Sequence, residues 1–326
     1  MSTIIDYQHQ IEQALKNKNY GSSPKELYDP IEYMMSLGGK RLRPVFVFIG
    51  CDLFCDDITK ALYPALAIEL FHNFTLVHDD IMDKAPLRRN QATVHEKWNE
   101  NTAILSGDVM FVKAYQELCK SNVQILPELL NVFNDTAIKV CEGQQLDMNF
   151  EKLHKVSIPQ YLKMIELKTA VLLAGSLKMG ALVGGASEKE AQCLYNFGKH
   201  IGVAFQLQDD ILDVYADAGK FGKQQGGDII ANKKTFLLVK ALEMAESNHY
   251  VKEELHQWIN APHFNPKEKV EAITSIYNFL NIAEIARNEM KKHYDRALTF
   301  LDEISVEEKK SKQLVDFTDS LMMREV

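Results

Sequence analysis

Asp79, Asp80 and Asp83 stand in FHNFTLVHDDIMDKAPLRR, residues 71–89, directly behind an apolar run and ahead of the adjacent Arg88 and Arg89. Asp209, Asp210 and Asp213 repeat the same DDxxD spacing in QLQDDILD at 206–213. Residues four apart share one face of a helix, so Asp79 with Asp83, and Asp209 with Asp213, each aim two carboxylates in one direction. Left alone, each pair repels. A hard cation between them removes the conflict, because Mg²⁺ takes oxygen ligands, typically one or two carboxylates, and fills its octahedron with water and substrate phosphate. A single DDxxD reads as a solvated helix end. Two copies, each behind an apolar run, point instead to metal-assisted phosphate chemistry.

Such chemistry needs cations to hold the phosphates. GGKRLRP at 38–44 leaves Lys40, Arg41 and Arg43 where one helix ends in glycines and another starts near Pro44. A helix N-terminus flanked by Lys and Arg suits phosphate; the alternative is a helix C-cap with dipole-compensating cations. Arg88 and Arg89, the pair Lys168-Thr169, and Lys223 and Lys233 in a Gly-rich stretch are further groups. Lys168 lies among Ile165, Leu167, Ala170 and Val171, where a lysine ordinarily snorkels outward but can instead meet a phosphate. His72 by itself reads as a core histidine. Gln144 and Asp147 in EGQQLD either line a cavity or cap polar layers between helices, and are not counted in the site.

The elements that position these groups are helices. Of 326 residues, 46% are hydrophobic, 25% charged and only 16 glycine and 9 proline, and apolar residues recur at helical spacing nearly throughout. The pattern predicts helices over residues 3–17, 24–37, 42–55, 59–83, 94–119, 125–148, 157–185, 188–214, 233–246, 250–260, 266–297 and 300–323 in one domain spanning 1–326. Ser157 with Pro159 is a start signal. Residues 84–92 and 216–234 interrupt the pattern, the second rich in Gly and Lys as mobile loops are. A net charge of −8 excludes general attraction to nucleic acid or anionic lipid. Five cysteines without zinc-ligand spacing suggest core packing in a reducing compartment. The polar N-terminus and the Lys178-interrupted apolar region 169–185 are expected of a soluble cytoplasmic protein without stable membrane insertion.

From about residue 37 to 235 the chain resembles the trans-isoprenyl diphosphate synthases of the polyprenyl synthetase family. GGKRLRP, His72, DDIMD with Arg88-Arg89, Lys168-Thr169, FQLQDD with Asp213, and the GK and KKT loop elements fall in the family's order. The resemblance implies an all-α isoprenoid synthase fold, an antiparallel helix bundle around a deep central cavity, with the two aspartate motifs facing across its mouth. It implies three Mg²⁺ ions held by Asp79, Asp83, Asp209 and Asp213, with Asp80 among the catalytic aspartates. Isopentenyl diphosphate is then held by Lys40, Arg43, His72 and Arg89. An allylic diphosphate (dimethylallyl, geranyl or farnesyl) is held by Arg88, Lys168, Lys223 and Lys233, with Thr169 and Gln206 near the nascent cation. Head-to-tail condensation releases pyrophosphate, the expected base for the final proton. Family members pair as homodimers. Asn90 stands where the family commonly has Gly, and Asn tolerates the positive φ such a turn needs. The terminal MMREV lacks the basic tail some members use for closure, which leaves closure to the Gly-Lys loop.

In the resembling family an aromatic at the position of Phe74, five residues before Asp79, marks short-chain synthases. At about 1.5 Å per residue it stands more than a turn below the aspartate. Thr75 is small where farnesyl diphosphate synthases often have a second aromatic, so geranylgeranyl diphosphate (C20) is the expected product and farnesyl diphosphate (C15) the alternative. Against this, Phe74 reads independently as core. Three rivals remain: a di-metal carboxylate oxidase, a terpene cyclase, and a non-catalytic subunit. The first needs ExxH pairs, present as Glu69…His72, Glu151…His154 and Glu253…His256. The second typically lacks a second DDxxD and a site like Lys40 and Arg43. The third usually loses aspartates, and all six are present.

Overall fold

Sparse glycine and proline leave little to interrupt helix, and helix dominates the computed structural model, which describes residues 3–216 and 226–323. In chain order the longer helices are α1 (Ile4–Lys16), α2 (Lys25–Ser36), α3 (Leu42–Asp52), α4 (Leu62–Met82) and α5 (Glu100–Leu118). Then come α6 (Leu126–Lys152), α7 (Ile158–Gly184), α8 (Glu188–Tyr215), α9 (Phe236–Ala245), α10 (His249–Asn260), α11 (Pro266–Phe279), α12 (Ile282–Leu301) and α13 (Glu308–Met322). Single turns stand at Val94–Lys97 and Gly227–Ile230, and Leu87–Arg88 pairs antiparallel with Gln91–Ala92 in a two-rung ladder.

The start signal at Ser157 is a capping box: the Gln160 amide donates to Ser157 Oγ and the Gln160 side chain accepts from the Ser157 N–H at 2.9 Å. Three expected helices are corrected. The predicted 266–297 breaks after α11, because Asn281 takes a left-handed φ of 54°, which Asn tolerates without a Cβ-branched clash. The predicted 94–119 breaks at Trp98 and Asn99, where the Asn99 side chain accepts from Thr102 N–H and caps a new start. The last helix begins at Glu308 rather than near 300, α12 having run on to Leu301.

Close contacts divide the chain into two compact units. One comprises Met1–Ala137, Leu172–Asn196 and Leu301–Phe317; the other comprises Ile138–Val171, Phe197–Phe300 and Thr318–Val326. The first unit buries Tyr7, Ile31, Phe46, Phe48 and Phe71, with the Tyr7 hydroxyl donating to Asp52 at 2.9 Å. Within it, α3 meets the C-terminal half of α7 at backbone distance: a Cβ on Gly180 would stand 2.1 Å from the Val47 carbonyl. The second unit's core gathers Phe150, Tyr161, Ile165, Leu207, Ile211, Phe236 and Tyr277. α7 is long and apolar enough to cross a membrane, yet 67% of its most apolar window is buried inside the protein. Cysteine packing is a partial correction: Cys51 and Cys193 are buried, whereas Cys119 and Cys141 are exposed.

Candidate active site

The first motif occupies the last turn of α4. The apolar run ahead of it is buried through Phe71, and Asp83 caps the helix with its N–H on the Asp79 carbonyl at 2.8 Å. The spacing then sorts the three carboxylates. Asp80 turns inward, 1% exposed, while Asp79 is half-buried and Asp83 exposed. Arg88 returns over the hairpin to grip Asp80: Nε lies 2.8 and 2.9 Å from its two oxygens and Nη2 lies 2.6 Å from Oδ1. Asp79 Oδ2 is 3.8 Å from the same guanidinium. Burial pushes the Asp80 carboxyl above its ordinary value against the pull of Arg88. Burial opposes the Arg88 charge as well, but its contacts with Asp80 outweigh that and hold it above the usual range. The turn between the two strands is Arg89-Asn90, with φ of 53° and 61°, as tight hairpin turns require. Asn90 therefore does carry the positive φ expected of it.

GGKRLRP separates its cations by direction. Arg41, left-handed at φ 50°, turns into the core, with Nη1 2.5 Å from Glu69 Oε1 and Nη2 donating to the Met35 carbonyl at 3.0 Å. Asn73 Nδ2 donates to the same Glu69 oxygen at 2.9 Å. Glu69 is thus committed to Arg41, and Glu151, His154, Glu253 and His256 are all exposed, which leaves no buried ExxH pair for a di-metal oxidase. Arg43 stays half-buried on α3 with Nη1 3.1 Å from His72 Nε2. Burial, then the charges of Arg43 and Arg89, hold His72 well below the ordinary histidine value, so it is neutral and accepts from Arg43. Lys40 is exposed, and the Arg89 guanidinium reaches back to the Gly38 carbonyl.

Phe74, half-buried one turn before the motif, joins an aromatic wall. It stacks on Phe111 of α5 at 5.0 Å and 12°, with His78 edge-on at 4.7 Å and Phe71 at 5.6 Å.

The second motif repeats the sorting in the other unit. Asp210, buried, accepts from the Tyr161 hydroxyl, from Gln206 Nε2 at 3.2 Å and from the Phe236 N–H at 3.1 Å. Burial, then the Asp228 charge, pushes its carboxyl up to about 7 against those hydrogen bonds. Asp209 and Asp213 are half-buried, and Asp213 Oδ2 accepts the Asp228 N–H at 3.0 Å. Thr169 Oγ1 donates to Gln206 Oε1 at 3.1 Å, so the motif, Gln206 and Thr169 form one hydrogen-bonded series. Lys168 and Thr169 sit on a π-helical turn, Glu166–Ala170, in α7. Such turns widen a helix locally, often at functional positions. Gly143 makes room for this one, since a Cβ there would stand 2.2 Å from the Lys168 nitrogen. Lys168 neither snorkels to solvent nor stands apart: its Nζ is 2.6 Å from Asp147 Oδ2. Asp147 and Tyr161 are the residues sequence reasoning left out, Asp147 because EGQQLD reads equally as a polar layer, Tyr161 because nothing local links it to Asp210. Lys233 is exposed in the loop ahead of α9; Lys223, and with it the middle of the loop expected to close the site, lies outside the described residues.

The donor set fits a hard divalent cation. Both motifs end helices at the negative end of the dipole, with no basic residue in the last turn of α4 or α8, where added carboxylates are disfavoured unless a cation is present. The middle aspartate of each motif is buried on protein donors, and Asp79 with Asp83, and Asp209 with Asp213, are the less buried carboxylates of their motifs. Among the described residues no cluster of three or more His, Cys, Asp or Glu encloses a metal by itself.

The polyprenyl synthetase family model matches residues 24–278. The chain belongs to the polyprenyl synthetase family. This polyprenyl synthetase is 43% identical to a geranylgeranyl diphosphate synthase of Methanosarcina mazei over 68% of each chain. It is 35% identical to that of Sulfolobus acidocaldarius over 98% of each. A crystal structure of a geranylgeranyl pyrophosphate synthase superposes with a TM-score of 0.94 at 41% identity over the whole of both chains. That from Pyrococcus horikoshii gives 0.91 at 32% identity over 99% and 97%. The all-α isoprenoid synthase fold and prenyltransferase activity on prenyl diphosphates follow, with the family's need for a divalent metal.

Proposed function

We propose that this polyprenyl synthetase condenses isopentenyl diphosphate head-to-tail with an allylic diphosphate and releases geranylgeranyl diphosphate (C20), with farnesyl diphosphate (C15) the alternative product. The observation that carries it is the repeated sorting of the aspartates: Asp80 and Asp210 locked by protein donors, Asp79 with Asp83 and Asp209 with Asp213 presented at helix ends. The proposed ligands of three Mg²⁺ ions are those four outer carboxylates. When bound, Mg²⁺ supplies positive charge that stabilises departing pyrophosphate. Lys40, Arg43 and Arg89 hold isopentenyl diphosphate, with neutral His72 accepting from Arg43 and fixing its guanidinium. Arg88, Lys168, Lys223 and Lys233 hold the allylic diphosphate. Thr169 and Gln206, oriented by Asp210, present their oxygens to the allylic cation. Holding both substrates in place supplies much of the rate, and pyrophosphate leaving C1 takes the final proton.

The chain acts as one domain, since each compact unit is assembled from three separate stretches. It pairs as a homodimer, supported by Ile104, Leu105 and Val112 exposed on α5. A cytoplasmic, soluble residence is supported by the burial of α7. The test incubates the protein with Mg²⁺, labelled isopentenyl diphosphate and each of the C5, C10 and C15 starters. A C20 product whose formation stops on addition of EDTA is expected; turnover undiminished in EDTA overturns the mechanism.

A further inference from the structure

Lys269 of α11 is fully buried, a position lysine almost never occupies without an acid beside it. Among the described residues its hydrogen-bond and ring partners are neutral. Nζ donates to Asn232 Oδ1 at 2.7 Å and to the Ile230 carbonyl at 3.3 Å, and stands 4.1 Å from the centroid of the Phe264 ring. Two oxygens and an aromatic face thus carry a whole charge, and burial depresses the ammonium below its ordinary value. An apolar side chain of the same length would cost less to place here, and the charge is spent on two acceptors of a single turn.

What it holds is the turn Gly227–Ile230 that follows the second motif. At the C-terminal end of that turn, Lys269 takes the Ile230 carbonyl and Asn232, whose φ is 55°. At its start, the next residue of α11, Val270, packs on Gly226, where φ is 73° and a Cβ would stand 2.6 Å from Val270 Cγ2. Two adjacent residues of one helix therefore clamp both ends. Between the clamps run the contacts to the motif. Gly226 N–H donates to the Asp213 carbonyl at 2.7 Å and Asp228 N–H to Asp213 Oδ2 at 3.0 Å. Lys233 N–H closes on the Asp228 carbonyl at 2.9 Å.

We propose that Lys269 is a positioning residue for the second aspartate motif: it fixes residues 226–235, and through them the Asp213 carboxylate and Lys233, in the orientation that receives a metal-bound diphosphate. The proposal rests on the roles given above to Asp213 and Lys233.

The test is Lys269→Met in the full chain, which keeps the volume and removes the charge and its donors. Hydrogen exchange at the Asp228 amide should quicken at least tenfold while the thermal midpoint of the whole chain stays within a few degrees. Binding of inorganic pyrophosphate with Mg²⁺, followed by calorimetry, should weaken at least tenfold. The allylic KM should rise by the same factor with the isopentenyl diphosphate KM unchanged. Should Lys269→Met fail to fold, Asn232→Gly, which keeps the positive φ and removes the acceptor, carries the same test. Wild-type exchange and binding in the variant, or equal loss for both substrates, overturns the proposal. A wild-type protein that turns over without metal overturns the functional reading instead.

Discussion

Asp79 and Asp80 are neighbours with opposite surroundings, and their substitutions should separate cleanly. Asp79→Ala removes a presented carboxylate and leaves the core intact, so kcat should fall by about three orders of magnitude, as for other losses of transition-state charge stabilisation, with an unchanged denaturation midpoint. Asp80→Ala strands the half-buried Arg88 guanidinium. Breaking a buried pair from one side costs about 3–5 kcal/mol, so here the urea midpoint should drop; equal midpoints for the two variants would contradict the sorting. The same contrast holds in GGKRLRP. Arg43→Ala should raise the isopentenyl diphosphate KM, because a ground-state contact contributes uniform binding, whereas Arg41→Ala strands Glu69 and should appear in stability.

At the scale of elements, α4 and α5 meet through the Phe74–Phe111 stack. If a prenyl chain is anchored at the first motif, as proposed, and grows along α4, it meets Phe74 after rather more than one turn. Phe74→Ala should therefore lengthen the products while the first condensation keeps its rate. An unchanged product distribution with lower stability would make Phe74 a packing residue alone. The hairpin at 87–92 offers a second test. Asn90→Ala forces a Cβ-bearing residue without Asn's local hydrogen bonding into φ near 61°, at a cost of about 1–2 kcal/mol. Because the turn carries Arg88 and Arg89, both stability and the KM values should move; Asn90→Gly should leave both near wild type.

For the whole molecule the acid limit follows from histidines held neutral. Burial, then Arg43, depresses His72. In the second unit His200 Nδ1 lies 3.0 Å from His293 Nδ1, and burial, then His293, pulls His200 down to about 4. Burial depresses His293 as well, against Glu289 and Glu166. Each folded value lies below the unfolded one near 6.5, so between them the unfolded chain binds more protons and stability falls with pH. The histidine contribution to the unfolding midpoint should be complete above about pH 7 and be lost from about 6.5 downward, offset in part by Asp210 and Asp80, whose raised carboxyls bind protons more readily folded than unfolded. His200→Asn should flatten part of that decline, and a wild-type slope in the variant would remove the pair from the account.

The aspartate spacing, the cation groups and most helices were legible in the sequence because each is a local property: four residues make a helix face, and Ser157 with Gln160 makes a cap. The break at Asn281 was missed because a left-handed Asn leaves no mark in an apolar period. Which of three clustered aspartates faces inward depends on Arg88 eight residues away and on Tyr161 forty-nine residues away, distances over which one-dimensional patterning carries no information. The partner of Lys168 and the burial of Lys269 likewise exist only once α6, α7 and α11 are packed. The sequence alone determined which residue types were available and at what helical phase; the tertiary structure decided which charges are consumed by the protein and which are presented, because burial and long-range pairing fix that choice.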